Sequence, residues 1–479
     1  MSFGKAIILA GTAIGFCLSG IYLTSCSKGG IEGMIIFTRA PADYHESDKE
    51  SVIHHYPGSQ IVAIDPDKPE QSEIILTAGF YSACSPEISY DAEKMLFAAQ
   101  QNEDDTWQVW EMDFGKGTSK KITGFEESCT GPAYLPGGRL VFTRQIPDAV
   151  TESGYALYTM NLDGSNLSRI TFQPHSDYPA GILRDGRILM LTRQLYPDIG
   201  SWMYMAIRPN GTKAELFHKG TGKSILNTRA YETMDGYVYF IRWEEGNEYK
   251  GDLVSVNQNR PLFTLVNHTS EITGSFYSAF PLPSGDMFVS YRPVNKPAAG
   301  LYRFSVNERS LGESIVEYPD YHIVEPVLVE AYTRPRNLPD EVDKMQSTGQ
   351  LLCQDINVTS MPLDTTVSYT TRATRLEILG IDKSLGIVPV EEDGSFYLKV
   401  IADTPFRIQT LDDNGRVLNG PSGWLWLRPF ERRGCVGCHA DPELVPENFV
   451  PLAVKKQPVS IPVEGTQEPE LSPAVEITE

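Results

Sequence analysis

The sequence has little of what builds disulfide scaffolds or binds nucleic acid. It contains 7 cysteines in 479 residues, too few for a disulfide-based scaffold of this length. Its 41 Lys and Arg residues are outnumbered by 62 Asp and Glu residues, which gives a formal net charge of -21. A generally basic binding face is therefore not expected, and nucleic acid is not an expected partner.

Several motifs of hydrolases and zinc proteins are also missing. There is no G-x-S-x-G nucleophile elbow and no H-E-x-x-H helix, so nothing favours a hydrolase. No second Cys pair with short spacing accompanies Cys435 and Cys438, which argues against a four-ligand structural zinc site. No long stretch repeats its apolar residues with a 3.6-residue period, so the sequence does not predict long amphipathic helices.

The N-terminus has the pattern of a sorting signal. Lys5 precedes an apolar stretch, 6–22, and the following letters LTSC end at Cys26. This ending resembles the bacterial lipobox, so we expect removal of residues 1–25 and lipidation of Cys26. The alternative is a single anchoring helix, because 6–22 is close to the lower length limit for a membrane span. Both interpretations predict a membrane-anchored periplasmic protein on the inner or outer membrane, with surface exposure left open.

After a short spacer, 26–32, the chain repeats itself over residues 33–330. Five apolar strands follow turns whose central residues are 46, 48, 50 and 49 positions apart, and 33–39 holds a sixth copy of the strand. Six hairpins of alternating apolar and polar residues lie between them. A period of about 48 residues with about four strands is typical of a β-propeller, so six blades are predicted. The blade pattern resembles TolB-like propellers. The turn residues are Ala92, Gly138, Gly186, Gly236 and Gly285.

A second all-β pattern follows the repeats. Residues 331–349 contain prolines and predict a linker. Residues 350–455 contain alternating strands and hairpin turns, which predict a small β-sandwich. Residues 456–479 are rich in Pro, Glu and Val, so a disordered tail is expected. The predicted fold is therefore all-β: a six-bladed β-propeller followed by a small β-sandwich domain with a c-type haem attachment segment.

That attachment segment is the C-x-x-C-H formed by Cys435, Cys438 and His439. Two thiols at this spacing can reach the two vinyl groups on one porphyrin edge, and the histidine can approach the iron. Covalent attachment takes place outside the cytoplasm, where the N-terminal signal directs the chain. One haem c is thus the expected cofactor; zinc, a redox dithiol and a Cys435–Cys438 disulfide are the alternatives.

Aromatic and basic side chains precede the motif. We expect the aromatic ones to wall an apolar porphyrin, with ordinary core packing as the alternative. We expect the basic ones to pair with the propionates, with a solvated face as the alternative. The aromatic residues are Trp424, Trp426 and Phe430, and the basic residues are Arg428, Arg432 and Arg433.

The residues around the motif resemble the hydrazine synthase alpha subunit-related family. Residues 386–455 contain V-x-x-D-G-S-F, A-x-x-P, L-D-x-x-G and R-P-x-E-x-R-x-C-x-G-C-H, which recur in the middle domain of that family. A six-bladed propeller precedes this domain there, so the resemblance covers about 33–455. It implies a haem-binding relative.

The resemblance has two departures. In the alpha subunit a tyrosine four residues after the motif histidine holds the haem, while that histidine turns toward zinc. Glu443 stands at this position here, so ligation by His439 or by Glu443 is left open. The alpha subunit also carries a further haem domain, whereas this sequence has a single C-x-x-C-H, so hydrazine synthesis itself is not expected.

A second candidate site lies where loops enter the inner strands at the propeller mouth. Cys84 and Cys129 occupy the same blade position, each shortly before a proline. The hypothesis is that these loops bind a metal ion, such as zinc, that faces the haem. The alternative is a disulfide between the two blades, or two buried thiols. Cys353 is expected in the core of the second domain. The further candidate ligands at the mouth are His175, Asp177, His45, His54 and His55.

These patterns predict an exported, lipid-anchored c-type cytochrome. It would pass electrons to a redox partner protein or carry out a redox step on a small molecule, and whether it is an enzyme is left open. An open sixth iron position would favour catalysis. The alternative is a scaffold lipoprotein whose propeller binds a protein or glycan and whose cysteines are structural or bind zinc.

Overall fold

The computed structural model is built from β-sheets. Within the described residues, no helix has both the length and the hydrophobicity of a membrane span. Eight four-stranded sheets account for the strands in this part of the chain, and the helices there are 3-10 turns at Pro69–Gln71 and Leu452–Lys455. The structure describes residues 30–42, 56–147, 150, 154–194, 197, 199–221, 224–244, 250–358, 372–437 and 449–463.

Six of the eight sheets lie before residue 329 and confirm the predicted propeller. Their strands, in chain order, are β1 (Ile35–Pro41), β2 (Gln60–Ile64), β3 (Ile74–Ile75), β4 (Ser82–Ile88), β5 (Lys94–Gln100), β6 (Gln108–Asp113), β7 (Thr118–Lys121), β8 (Cys129–Leu135), β9 (Arg139–Gln145), β10 (Tyr155–Asn161), β11 (Ser168–Arg169), β12 (Asp177–Ile182), β13 (Ile188–Arg193), β14 (Trp202–Ile207), β15 (Glu215–Lys219), β16 (Ile225–Glu232), β17 (Tyr237–Glu244), β18 (Lys250–Asn257), β19 (Val266–Asn267), β20 (Ser275–Pro281), β21 (Met287–Arg292), β22 (Gly300–Ser305), β23 (Ser310–Val316) and β24 (Tyr321–Leu328).

The ring is closed by a blade that combines both ends of the repeat region. Five blades consist of four consecutive strands, whereas the sixth has the order β24-β1-β2-β3. Its inner strand β24 pairs antiparallel with β1, from Ile35 opposite Leu328 to Pro41 opposite Tyr321. Because a strand from the end of the repeats completes the first blade, the ring is held shut by main-chain hydrogen bonds.

The turns between first and second strands have the backbone that the repeat predicted. All five predicted turn residues have positive φ, from 57° at Ala92 to 94° at Gly186. Gly186 is constrained further, because an added Cβ would lie 2.1 Å from the carbonyl oxygen of Arg336. The sequence repeat therefore predicted these hairpin turns correctly. At Gly186 the segment around Arg336 packs directly on the turn.

The predicted linker is an ordered strap across the propeller. We call residues 331–347 the strap; they contain no strand. The Tyr332 hydroxyl donates to the carbonyl oxygen of Ile88 at 2.9 Å, and the Arg336 amide donates to that of Arg184 at 3.1 Å. Glu341 pairs with Arg208 at 2.6 Å. The strap thus fixes where the second domain begins.

The second domain is a β-sandwich of two four-stranded sheets, as predicted. One sheet has the order β31-β25-β28-β32 and the other β27-β26-β29-β30. Apolar side chains from both sheets, among them Leu351, Leu376 and Leu398, form one core between them. The strands are β25 (Thr348–Cys353), β26 (Arg375–Leu379), β27 (Ser384–Pro389), β28 (Phe396–Ile401), β29 (Arg407–Leu411), β30 (Val417–Asn419), β31 (Arg432–Cys435) and β32 (Val459–Ile461).

The sandwich extends beyond residue 456, where the sequence predicts that the tail begins. Residues Val459–Ile461 pair in parallel with β28, and Ile461 is buried in the sandwich core. Three residues with two apolar side chains are enough to complete a sheet edge, a signal too short to stand out in a Pro-rich segment.

Replacing Gly186 with alanine should destabilise the protein more than the same change at Gly236. Both glycines have positive φ, 94° and 82°, so each alanine carries a left-handed strain of about 1–2 kcal/mol. Only at Gly186 does the new Cβ meet the strap; at Gly236 nothing lies within 4 Å. Thermal and denaturant unfolding should show a further loss of about 1–3 kcal/mol for Gly186→Ala. Equal losses for the two variants would contradict the strap contact.

Candidate functional site

Cys435 is held in place by strand pairing. It ends β31, an outer strand of its sheet, and β31 runs parallel to β25 with Cys435 opposite Cys353. The ladder continues past the strand: the Gln354 amide donates to the Cys435 carbonyl at 2.9 Å, and the Asp355 amide donates to the Val436 carbonyl at 3.2 Å. The first half of the C-x-x-C-H is therefore part of a sheet.

Two glycines bring the neighbouring loops into contact with the motif. An added Cβ on Gly437 would lie 2.3 Å from the carbonyl oxygen of Val358. Gly394, in the D-G-S-F element, has a φ of 82°, and its added Cβ would lie 1.9 Å from Asp355 Oδ1. The Ile356 amide donates to the Gly394 carbonyl at 2.9 Å. Loop 354–358 is thus packed between the D-G-S-F turn and the motif.

The same D-G-S-F turn also anchors residues 452 and 453, which follow the motif in the sequence. Asp393 Oδ2 accepts from the Leu452 amide at 2.7 Å, and Ser395 Oγ accepts from the Ala453 amide at 3.0 Å. Segments whose contacting residues are 59 and 58 positions apart in the sequence therefore meet at one end of the sandwich. Cys438, His439 and Glu443 lie outside the described residues, so their roles stay predictions.

The surroundings of Cys435 are apolar. The side chain is half-buried against the sandwich core, and burial raises the pKa of its thiol, which the Arg433 guanidinium partly offsets. Val358, Phe449 and Val450, on segments adjoining the motif, are 43%, 39% and 67% exposed. A thiol on a fixed strand, with exposed apolar side chains on the adjoining segments, fits covalent attachment of a porphyrin edge.

The tryptophans that precede the motif are both buried within the protein, which favours the alternative to a porphyrin wall. Trp426 is 1% exposed and joins a propeller cluster with Leu135 of β8 and Ile207 of β14. Trp424 is 4% exposed, with the Arg407 guanidinium 5.5 Å from its ring centroid. Because protein atoms cover both rings, neither serves as the wall that the sequence predicted. Phe430 remains exposed.

Arg428 is likewise used between the domains. Its Nη1 donates to Asp403 at 2.8 Å, and its Nε donates to the carbonyl oxygen of Asn210 at 3.0 Å. Its guanidinium also lies 4.9 Å from the ring centroid of Phe172. The structure therefore assigns Arg428 to the contact between the propeller and the sandwich rather than to a propionate.

Glu431 connects β31 to the propeller and was not singled out from the sequence. Its Oε1 accepts from the Lys213 amide of the propeller at 2.8 Å and from Arg433 Nη2 at 2.8 Å. Its Oε2 accepts from the Arg428 amide at 2.8 Å. The residue is buried, and it pairs the charge of Arg433. Arg432 is exposed, with its guanidinium 5.3 Å from the ring centroid of Phe430. The sequence signal that could have identified Glu431 is its position in the R-P-x-E-x-R element.

The sequence is similar to a known family and to a known protein. Residues 338–440 match the family described as hydrazine synthase alpha subunit middle domain. The chain is 22% identical over 544 residues to hydrazine synthase subunit alpha of Kuenenia stuttgartiensis, covering 86% of this chain and 66% of that protein. The chain is related to the hydrazine synthase alpha subunit. The chain spans 66% of the length of that relative.

The solved structure of a hydrazine synthase shows the same fold. The Kuenenia stuttgartiensis hydrazine synthase structure has a TM-score of 0.78 at 20% identity, covering 89% of this chain and 72% of that one. TolB from Acinetobacter baumannii has a TM-score of 0.43 at 16% identity, covering 62% of this chain and 67% of that one. The predicted resemblance to the hydrazine synthase alpha family is thus confirmed.

The propeller mouth and the sandwich contact lie at opposite ends of the blade strands. β12 begins at Asp177 and ends at Ile182. Ile182 pairs with Ile188 of β13, which pairs in turn with Ile207 of β14, so Ile182 and Ile207 lie at the same end of the blade. The turn after Ile207 supplies Asn210 and Lys213 to the sandwich. The length of β12 separates the two ends by about 17 Å. The mouth therefore does not face the sandwich, which corrects the expectation that it faces the domain to which the sequence assigns the haem.

The described residues contain no group of three or more His, Cys, Asp or Glu side chains that could hold a metal. His45, His54 and His55 lie outside the described residues, so the metal site stays a prediction. No disulfide joins Cys84 to Cys129 in the described part of the chain. Burial raises the pKa of Cys129 to about 12 and also raises that of Cys84, so both behave as buried thiols.

His175 and Asp177 keep unpaired atoms at the mouth. Burial lowers the pKa of His175 to about 3 and raises that of Asp177 to about 6, the latter against hydrogen bonds that include Thr192 and Gln173. Within the described residues, His175 Nδ1 and Asp177 Oδ2 have no hydrogen-bond partner. Both side chains are buried, so a neutral imidazole and an easily protonated carboxyl lie two residues apart.

A charged network crosses the propeller axis. Arg229 of β16 pairs with Glu87 of β4 at 2.9 Å, and its Nε lies 4.0 Å from Glu325 of β24. Glu325 Oε2 accepts from the Thr38 hydroxyl and the Ser85 amide, each at 2.8 Å. The blades of β4 and β16 face each other in a six-bladed ring, so this network spans the centre. No local sequence pattern marks it.

Truncating Trp426 should cost far more stability than truncating Phe430. Trp426→Ala empties a buried site where the domains meet, at a cost of about 3–5 kcal/mol. Phe430 is 49% exposed, so Phe430→Ala should cost less than about 1 kcal/mol. Denaturant unfolding followed by intrinsic fluorescence and circular dichroism measures both. Similar losses of stability in the two variants would show that Trp426 does not hold the two domains together.

Neutralising Glu431 should loosen the sandwich from the propeller. Glu431→Gln removes the negative charge that pairs with Arg433 and replaces one of the two accepting oxygens with an amide nitrogen. The free energy of unfolding should fall by about 2–4 kcal/mol. Glu341→Gln is the matched control at the same contact, because Glu341 is 45% exposed and its ion pairs should contribute less than about 1 kcal/mol. Limited proteolysis of the strap and unfolding curves report the difference. A Glu431→Gln protein as stable as the control would contradict this role.

Proposed function

We propose that the protein is an exported, membrane-anchored lipoprotein that binds one covalent haem c and acts in electron transfer or small-molecule redox chemistry. The supporting observation is a C-x-x-C-H whose first cysteine ends a sandwich strand, within the region that matches the hydrazine synthase alpha middle domain. The anchor proposed is a lipidated Cys26 on the inner or outer membrane.

In this proposal Cys435 and Cys438 hold the porphyrin and His439 is the iron ligand, with Glu443 as the alternative or second ligand. The haem would supply one-electron chemistry when bound. The chain's own residues position it: β25 fixes Cys435, Gly437 permits close packing on Val358, and Asp393 holds the segment that follows. Rigid support of this kind is what a covalent cofactor site needs.

Of the three arginines considered for the propionates, Arg432 is the remaining candidate. The guanidinium of Arg428 pairs with Asp403, and that of Arg433 pairs with Glu431. Arg432 is exposed and close to Phe430. An exposed arginine beside an aromatic ring can turn toward a carboxylate without leaving a buried charge unpaired.

The proposed redox partner is a protein with a basic contact surface. The formal net charge of -21 makes the chain strongly acidic. Charge complementarity accelerates the encounter of redox proteins and is screened by salt. Electron transfer to such a partner would therefore slow as ionic strength rises.

The test is covalent haem in protein made together with haem-maturation machinery. We expect a pyridine haemochrome spectrum that corresponds to one covalent haem per chain. In Cys435→Ser and Cys438→Ser, the haem should be lost or be held by one thioether bond instead of two. Cys129→Ser is the matched control, since Cys129 is buried in the propeller and should not affect attachment. Iron and zinc analysis of the same samples completes the measurement.

Full covalent haem in Cys435→Ser, or none in the wild type, would overturn the proposal. A folded, haem-free wild type would instead favour the alternative, a scaffold lipoprotein whose propeller binds a protein or glycan. Stoichiometric zinc without iron would favour a scaffold lipoprotein whose cysteines bind zinc.

A further inference from the structure

We infer that Cys353 forms a reversible disulfide with Cys435 in protein without attached haem. The two cysteines are 82 positions apart in the sequence, yet they are direct partners in the parallel pairing of β25 and β31. The structure shows both as thiols.

The strand geometry permits the bond. Neighbouring strands in a sheet lie about 4.7–4.9 Å apart, and disulfide-linked residues have Cα atoms about 4.4–6.8 Å apart. Partners in a parallel register point their side chains to the same face. Cys353 and Cys435 both contact the sandwich core, Cys353 buried at 2% exposure and Cys435 half-buried.

The register is fixed on both sides of the pair. The Gln350 amide donates to the Glu431 carbonyl at 2.8 Å, and the Gln354 amide donates to the Cys435 carbonyl at 2.9 Å. The Glu431 side chain also bonds to the propeller through the Lys213 amide. β31 is thus held from its start to its end, so the two thiols stay neighbours.

The oxidation is a thiol–disulfide exchange. Two S–H bonds break and one S–S bond forms between Cys353 and Cys435, while two electrons and two protons pass to a disulfide oxidant, whose S–S bond breaks to give two thiols. Glutathione disulfide or an exported thiol oxidase can serve as that oxidant. The reverse exchange with a dithiol restores both thiols.

The disulfide has a consequence for haem attachment, and this part rests on the proposed function. A thioether to a vinyl group forms from a free thiol, so Cys435 in a disulfide cannot accept the porphyrin. Cys353 would therefore protect Cys435 from other oxidants and make attachment depend on a reductant.

Peptide mapping tests the disulfide without haem. The full chain, made without haem-maturation machinery, is equilibrated with oxidised glutathione, alkylated under denaturing conditions, digested and analysed without reduction. We expect a linked peptide joining Cys353 to Cys435, which reducing agent removes. Cys84 and Cys129, buried in different blades, should be recovered alkylated. A Cys435–Cys438 link as the main product, or alkylated Cys435 in the oxidised protein, would overturn the inference.

Cys353→Ala, with Cys129→Ala as the matched control, separates this inference from the proposed function. The linked peptide should disappear only in Cys353→Ala, and covalent haem should then form with less added reductant than in the control. If no variant takes up haem, the proposed function fails while the peptide map still decides the disulfide. An unchanged reductant requirement in Cys353→Ala would contradict the protective role.

Discussion

The arrangement of the two domains depends on one buried carboxylate. Glu431 accepts hydrogen bonds from a propeller amide, from the Arg428 amide and from the Arg433 guanidinium, while most of its surface is removed from water. A buried carboxylate is stable only when its acceptors are filled, so the groups around it cannot move independently. Since Glu431 directly precedes β31, the strand that ends in Cys435 inherits this fixed position.

Two further contacts make the connection between the domains rigid. Trp426 inserts an apolar ring into the propeller core, and the strap packs against Gly186 and pairs with Arg208. Together they put the sandwich at the end of the blades away from the inner-strand mouth. The proposed haem site and the mouth residues are therefore separate regions, and any coupling between them would run through the length of the blades.

Local patterns in the sequence were enough for the architecture. Turn residues such as Ala92 and Gly236 recur with the blade period, and alternation within each strand sets its buried face, so six blades follow from neighbours in sequence. The roles of Trp426 and Arg428 did not follow, because a tryptophan is buried equally well in a core or against a porphyrin, and an arginine can pair with a carboxylate of either kind. The pairing of Cys353 with Cys435 depends on a parallel register between distant segments, which no local pattern encodes.

The central claim is that the sandwich carries a single covalent haem on the C-x-x-C-H. Intact mass spectrometry of the mature protein, followed by peptide mapping, tests it most directly. The account predicts a mass increase of one haem over the lipidated polypeptide, located on the peptide that contains Cys435 and Cys438. An unmodified peptide at this position, or a haem adduct on any other cysteine, would contradict it.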